Sequence, residues 1–197
     1  MGVGSLRTMG IGFSRVAGAG PLRAVFLDRD GVLNRAMVRN GKPYPPGSLD
    51  ELEILPDVPE ALAALKARGF LLLVVTNQPD VARGGQQRKI VESMHEKLCA
   101  SLPIDDFFVC YHDDNDHCDC RKPKPGLLLQ AAAKYRLDLG ACYLIGDRWR
   151  DIDAGHAAGC TTAWIDRHYA ERNPAQPPNV RVASCAEAAL WILQNTP

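Results

Sequence analysis

The stretch AVFLDRDGVLN, residues 24–34, decides how the rest of the chain is read. Four apolar residues with strand character run into Asp28 and Asp30, and Gly31 then frees the backbone to turn away. Carboxylates are rarely buried without partners, so a strand leaving a covered sheet has no structural use for two of them one residue apart. In an extended chain they project to the same side, where they repel unless a cation sits between them or one keeps its proton. Standing alone, an Asp-x-Asp-Gly turn is the structural alternative.

Outward from this stretch, apolar runs alternate with helical patterns. Strands are predicted over residues 24–27, 70–75, 107–110, 142–145 and 162–165, and their continuous apolarity suits strands covered on both faces. PDVPEALAALKARG, residues 56–69, has an aspartate, a proline and a glutamate at its front and a glycine at its end, the punctuation of a helix. Further helices are predicted over 86–100, 125–135, 149–158 and 186–193. The alternation predicts an α/β fold, a three-layer doubly wound parallel sheet with right-handed crossovers. In such sheets ligands bind outside the carboxyl ends of the strands. Residues 34–56, with four prolines and two glycines, read as a long ordered loop or small flap over that end, and 167–183 as an irregular, proline-rich stretch. No insertion long enough for a large cap domain separates the motifs.

With 197 residues, 46% of them hydrophobic and 23% charged, the chain is long enough for one well-formed core. Residues 23–197 are expected to form it, and residues 1–22 read as a glycine-rich extension without the apolar core of a secretory signal. Lysine plus arginine equals aspartate plus glutamate at 23 each, so no global field draws the chain to nucleic acid or to an anionic membrane. The run FLLLVV, residues 70–75, is too short to span a bilayer. The expectation is a cytoplasmic protein with no nucleic-acid or membrane partner.

Every polar motif follows a predicted strand. TNQ, residues 76–78, offers a hydroxyl, side-chain amides and backbone amides suited to a phosphate oxygen. RKPKPG carries Arg121 and Lys122 beside prolines, and GDRWRD carries Asp147 and Asp151. Each has a bland reading as turn or solvated surface, but four strand ends presenting carboxylates, a hydroxyl, a lysine and another carboxylate converge on one site by the switch-point rule. Between them lies CYHDDNDHCDC, residues 110–120. Cys110 and His112 form one close pair, and Cys118 and Cys120 another. Three thiolates and an imidazole complete a tetrahedral donor set, so a structural Zn²⁺ without an open catalytic position is predicted, with His117 as the alternative to His112. Arg121 directly follows the last of these donors and would be presented with little freedom. Cys99, Cys142, Cys160 and Cys185 lie in apolar surroundings and read as buried thiols.

LDRDGVLN, VVTNQ, CRKPKPG and IGDRWRDI resemble, in order and spacing, the four motifs of haloacid dehalogenase superfamily phosphatases, over about residues 23–166. The resemblance implies that Asp28 is the nucleophile, and that Asp30 is the acid for the leaving oxygen and then the base for water. It implies that Thr76 and Lys122 hold phosphoryl oxygens, that Asn77 and Gln78 face the substrate, and that Asp28, the Asp30 carbonyl and Asp147 bind Mg²⁺. Asp151 either steadies the metal's ligands from behind or simply opens a helix. The Cys-x-His and Cys-x-Cys-Arg-Lys-Pro pattern is similar to that of heptose 1,7-bisphosphate phosphatases and the related histidinol-phosphatases, and implies that Arg121 and Arg148 contact substrate. The short zinc loop resembles the histidinol-phosphate type. The cations Arg35, Arg39, Lys42 and Arg83 instead suit a second anionic group, so a small phosphorylated sugar, a heptose bisphosphate losing its 7-phosphate, is the expected substrate. A phosphosugar-binding protein without catalysis is the alternative class, and it would not need both Asp28 and Asp30.

Overall fold

A computed structural model describes residues 22–196; residues 1–21 and 197 lie outside it, and with them almost all of the predicted N-terminal extension. The chain runs β1 (Ala24–Leu27), β2 (Met37–Arg39), β3 (Lys42–Tyr44), α1 (Val58–Ala67), β4 (Leu71–Asn77), α2 (Arg88–Ser101) and β5 (Asp106–Cys110). It continues through α3 (Gly126–Tyr135), β6 (Tyr143–Gly146), α4 (Trp149–Ala158), β7 (Thr161–Ile165), β8 (Val180–Val182) and α5 (Cys185–Asn195). Six strands form one sheet in the order β5-β4-β1-β6-β7-β8, every neighbouring pair parallel. The chain moves outward from β1 through β4 to β5, then crosses back to β6 on the other side, so the strand order reverses at β1. The carboxyl end of β1 is therefore the crevice where a ligand is expected.

Successive side chains of a strand point to opposite faces, which splits the core in two. Val25 and Leu27 of β1, with Leu72 and Val74 of β4, pack against α1, α2 and α5. Ala24 and Phe26, with Leu71, Leu73 and Val75, pack against α3 and α4. All four β1 residues are fully buried, which is why they read as a continuous apolar run, and truncating Phe26 to alanine would cost about 3–5 kcal/mol.

The predicted elements appear with ends shifted by one or two residues, and two features are additional. Residues 34–56 contain a short antiparallel hairpin, β2–β3, turning at Asn40 and Gly41, both with positive φ. An Asn-Gly pair favours such a turn, so the signal was present, but three-residue exposed strands, one with Pro43 in it, carry no pattern of their own. The stretch 167–183 yields the edge strand β8. Leu22, assigned to the extension, already bridges to Leu137. Asp57 makes no side-chain cap on its own helix; its Oδ2 instead accepts from Ala186 N at the start of α5. Cys142, Cys160 and Cys185 are buried as expected, but Cys99 is exposed, because it lies on the outer side of α2, away from Met94 and Leu98, which face the core.

Candidate active site

Four strand or loop ends converge at the carboxyl rim. Asp28 stays attached to the sheet after β1 ends, its N–H donating to the Ile145 carbonyl at 3.0 Å. Gly31 turns the chain with φ +93°, and a Cβ there would lie 1.8 Å from Asp147 Oδ2. Only glycine permits that approach. Gly146 likewise lets Asp151 fold back over the end of β6, since a Cβ there would meet Asp151 Cβ at 2.1 Å.

Lys122, 2% exposed, reaches the centre. Its Nζ donates to Asp28 Oδ1 at 2.6 Å, to Asp151 Oδ1 at 2.5 Å and to the Val75 carbonyl at 2.7 Å. Asp28, Asp147 and Asp151 bring carboxylate oxygens within 4.8 Å of one another. One ammonium cannot neutralise three buried carboxylates. Burial pushes the Asp28 carboxyl up to about 6, against the pull of Lys122 and with the help of Asp151 and Asp30. Burial, then Asp28 and Asp151, pushes Asp147 up as well. Burial alone would lower the Lys122 pKa, but Asp151 and Asp28 outweigh it and raise it. Asp147 Oδ1 is buried with no hydrogen-bond partner. An orphaned carboxylate oxygen among excess negative charge is what a hard, oxygen-seeking cation requires, so the donor set fits Mg²⁺. Asp151 does two structural tasks: Oδ1 holds Lys122, and Oδ2 accepts the Arg148 N–H at 3.0 Å, opening α4.

Asp30 behaves oppositely. Burial would raise its pKa, but the Arg29 guanidinium, Asn34 and Gln78 surround the carboxylate and hold it below the usual range. Arg29 Nη2 donates at 2.9 Å, Asn34 Nδ2 at 3.0 Å and Gln78 Nε2 at 2.9 Å. Arg29 is fully buried, and its Nη1 lies 3.2 Å from His95 Nε2. Burial and Arg29 push that imidazole down to about 3, so it stays neutral. Two neighbouring carboxylates with opposed shifts are the pattern of divided roles.

Thr76 is buried at the end of β4 on the cavity wall, its Oγ1 accepting from Gln78 at 3.0 Å. Gln78, expected to face substrate, is 2% exposed, with its amide donating to Asp30 and Thr76 behind the wall. Asn77 lines the cavity, but both ends of its amide clamp the Lys122 backbone. These amides set the positions of Asp30 and Lys122.

The zinc-like loop closes as its spacing predicts. Cys110 Sγ lies 3.7 Å from Cys118 Sγ and 3.7 Å from His112 Nδ1; Cys120 Sγ lies 3.4 Å from both Cys118 Sγ and His112 Nδ1. A tetrahedral Zn²⁺ at ordinary bond lengths needs edges of about 3.8 Å between thiolates and about 3.6 Å between thiolate and imidazole, so the donors fit that ion. His117 is outside the cluster, in an αL turn.

The loop also carries Asp114, around which Arg121 at 2.9 Å, Arg150 at 3.5 Å and Arg83 at 3.6 Å gather. These three, with Lys42, Tyr44 and Arg148, line the wall of a cavity of ≈ 220 Å³ whose floor holds Asp28, Asp30 and Lys122. Arg148 is paired with Glu171. Of the flap cations, Lys42 faces the cavity, whereas Arg35 pairs with Glu53 in solvent and Arg39 lies over Tyr44. Sequence alone does not single out Arg29, His95, Arg150 or Tyr169, whose hydroxyl donates to Asp147 Oδ2 at 2.8 Å. Arg29 lies inside LDRDGVLN and Arg150 inside IGDRWRDI, whereas His95 and Tyr169 lie in no motif.

No helix among the described residues is long and apolar enough to cross a membrane. A model of haloacid dehalogenase-like hydrolases matches residues 46–159. The chain is similar to the D-glycero-beta-D-manno-heptose-1,7-bisphosphate 7-phosphatase of Escherichia coli K12, at 36% identity over 87% of this chain and 88% of that protein. It is 32% identical to the enzyme of the same name from Bordetella bronchiseptica, over 88% of this chain and 99% of that one. In structure it resembles the D,D-heptose 1,7-bisphosphate phosphatase of B. bronchiseptica complexed with magnesium and phosphate, with a TM-score of 0.77 at 29% identity, covering 89% of this chain and all of that one.

Proposed function

The chain belongs to the haloacid dehalogenase-like hydrolase family, and on that premise we propose that it removes the 7-phosphate of D-glycero-D-manno-heptose 1,7-bisphosphate, as a Mg²⁺-dependent phosphomonoesterase. One observation carries the chemistry: the Asp28 carboxylate, held by Lys122 beside the unpartnered Oδ1 of Asp147, forms the floor of a cavity with cations on its wall. Mg²⁺ held by Asp28, the Asp30 carbonyl and Asp147 would offset the charge of a phosphoryl group that Asp28 otherwise repels.

Asp28 attacks phosphorus as the bond to the sugar oxygen breaks, giving an aspartyl-phosphate. Asp30 delivers a proton to the departing oxygen, then takes one from the water that attacks the intermediate, releasing phosphate and restoring Asp28. Arg29 keeps Asp30 ionised at rest, and the negative charge of a bound phosphoryl group, acting in the opposite direction, favours its proton. Lys122 and Thr76 hold phosphoryl oxygens while charge spreads over them. Cys110, His112, Cys118 and Cys120 would hold Zn²⁺, which would fix the loop that presents Arg121 and Asp114.

The second phosphate explains the wall. Arg121 and Arg150 share Asp114, Arg83 is spread over Asp80, Asp113 and Asp114 at 3.5 to 3.6 Å, and with Lys42 these cations present donors on which another anionic group can replace weak pairings. Histidinol phosphate would place an amine and an imidazole against those arginines and is the runner-up. The reading includes a monomer in a reducing cytoplasm, where closely spaced thiols stay available to a metal. Steady-state assay of both substrates tests it: kcat/KM at least tenfold higher for the heptose bisphosphate is expected, and a tenfold preference for histidinol phosphate, about 1.4 kcal/mol in barrier, reverses the assignment.

A further inference from the structure

Residues beyond the four motifs shape the Asp147 carboxylate. Its Oδ2 accepts from the Tyr169 hydroxyl at 2.8 Å, its backbone carbonyl accepts from Trp164 Nε1 at 3.0 Å, and its Oδ1 is buried without a partner. One oxygen is thus committed to the protein and the other is left over.

The segment that carries Tyr169 is itself tied down residue by residue. Arg167 donates to the Gly31 carbonyl from Nε at 3.1 Å and from Nη2 at 3.0 Å. Ala170 N–H donates at 2.7 Å to the carbonyl of Gly41, at the tip of the β2–β3 hairpin. Glu171 pairs with Arg148, whose own N–H is held by Asp151. A Cβ on Gly31 would lie 3.0 Å from the Tyr169 oxygen, so the turn of the nucleophile loop and the phenol close over Oδ2 together. Turning the carboxylate away from the phenol would cost Oδ2 and the hydroxyl their shared hydrogen bond, a costly outcome at a buried oxygen.

We propose that Tyr169 is a positioning residue for the divalent cation. By occupying Oδ2 of Asp147 it fixes the carboxylate so that Oδ1 faces the ion, and Arg167, Ala170 and Glu171 brace it between the nucleophile loop and the flap. The inference rests on the proposed Mg²⁺ site. Partners of this kind orient a ligand before the metal arrives, and removing one typically weakens metal affinity 10–100-fold.

The test is calorimetric titration of MgCl₂ into Mg²⁺-free, zinc-loaded full-length protein, comparing wild type with Tyr169→Phe and His168→Asn. His168 is the exposed neighbour of Tyr169, has positive φ that asparagine tolerates, and bonds to Asp166. The expected result is an Mg²⁺ Kd about tenfold weaker in Tyr169→Phe and within twofold of wild type in His168→Asn, with the Mg²⁺ concentration for half-maximal turnover moving in step. A Tyr169→Phe Kd within twofold of wild type, or equal weakening in both variants, overturns the inference. Wild-type protein that binds no Mg²⁺ overturns the proposed metal site along with it, so the two failures are distinguishable.

Discussion

The rim cluster and the zinc loop both gather metal-seeking side chains, but they do so by opposite routes. The loop draws Cys110, His112, Cys118 and Cys120 from eleven consecutive residues, and only Cys110 is buried. The rim draws Asp28, Lys122, Asp147 and Asp151 from three distant segments, with Lys122 94 residues from Asp28, and buries all of them. A local site can loosen without disturbing the sheet. A site assembled by the sheet cannot, and its unbalanced charge weighs on the stability of the whole domain.

The largest test of this contrast is Asp28→Asn. Phosphate release should fall about 10⁴-fold or more with the fold retained, since Lys122 keeps Asp151, and turnover at the wild-type rate would show that Asp28 is not the nucleophile. Lys122→Met should come next. It strands Asp28 and Asp151 as buried carboxylates and should cost about 3–5 kcal/mol in urea unfolding; a loss below about 1 kcal/mol would mean the rim is effectively solvated.

A third test uses pH. Burial holds the Asp28 carboxyl near 6 in the folded state, against about 3.9 in the unfolded chain. Between those values the folded form keeps a proton that the unfolded form has lost, so without Mg²⁺ this group's contribution falls as pH rises through the window, by on the order of 3 kcal/mol. Asp30, shifted the other way, contributes stability that is present above about pH 3.9 and lost as pH falls. Asp28→Asn removes the first effect and with it part of the upward push on Asp147, both of the same sign, so the difference between the two pH profiles reports the buried carboxylates of the rim; identical profiles would refute the burial argument.

Cys118→Ser tests the loop. Zinc content should fall and the melting temperature should drop by about 5 °C, or roughly 2 kcal/mol, with faster amide exchange confined to residues 110–121 and a higher KM for the bisphosphate. Loss of the whole sheet would erase the distinction between the two regions. The smallest effect is expected at Arg35→Ala, which breaks an exposed pair with Glu53 away from the cavity. Stability in urea unfolding should hardly change and KM should be unaltered, and a raised KM would bring the flap arginine into the site.

What could be read in advance followed from locality. The β1 run, the Asp-x-Asp-Gly turn and the zinc spacing are contiguous, so each announces itself through period, turn chemistry or donor set. Arg29 is one residue from the nucleophile, yet nothing in Asp-Arg-Asp says that it is fully buried and clamps Asp30, because that depends on α2 bringing His95 beneath it. Gln78 looked like a substrate ligand for the same reason: its neighbours Asp30 and Thr76 come from different turns of the chain. Tyr169 and β8 lie in a proline-rich stretch without periodicity, and their places are set by contacts with β6 and β7.

The chain's linear order alone determined the parallel α/β architecture, the position of each motif at a strand end and the four donors of the zinc loop, because strand period, helix punctuation and ligand spacing act over a few residues. Only the tertiary structure decided which oxygen of Asp147 stays free, which carboxylate keeps its proton and which cations face the cavity. Those outcomes depend on burial and on charges brought together across the sheet, and neither has a value until the chain has closed around them.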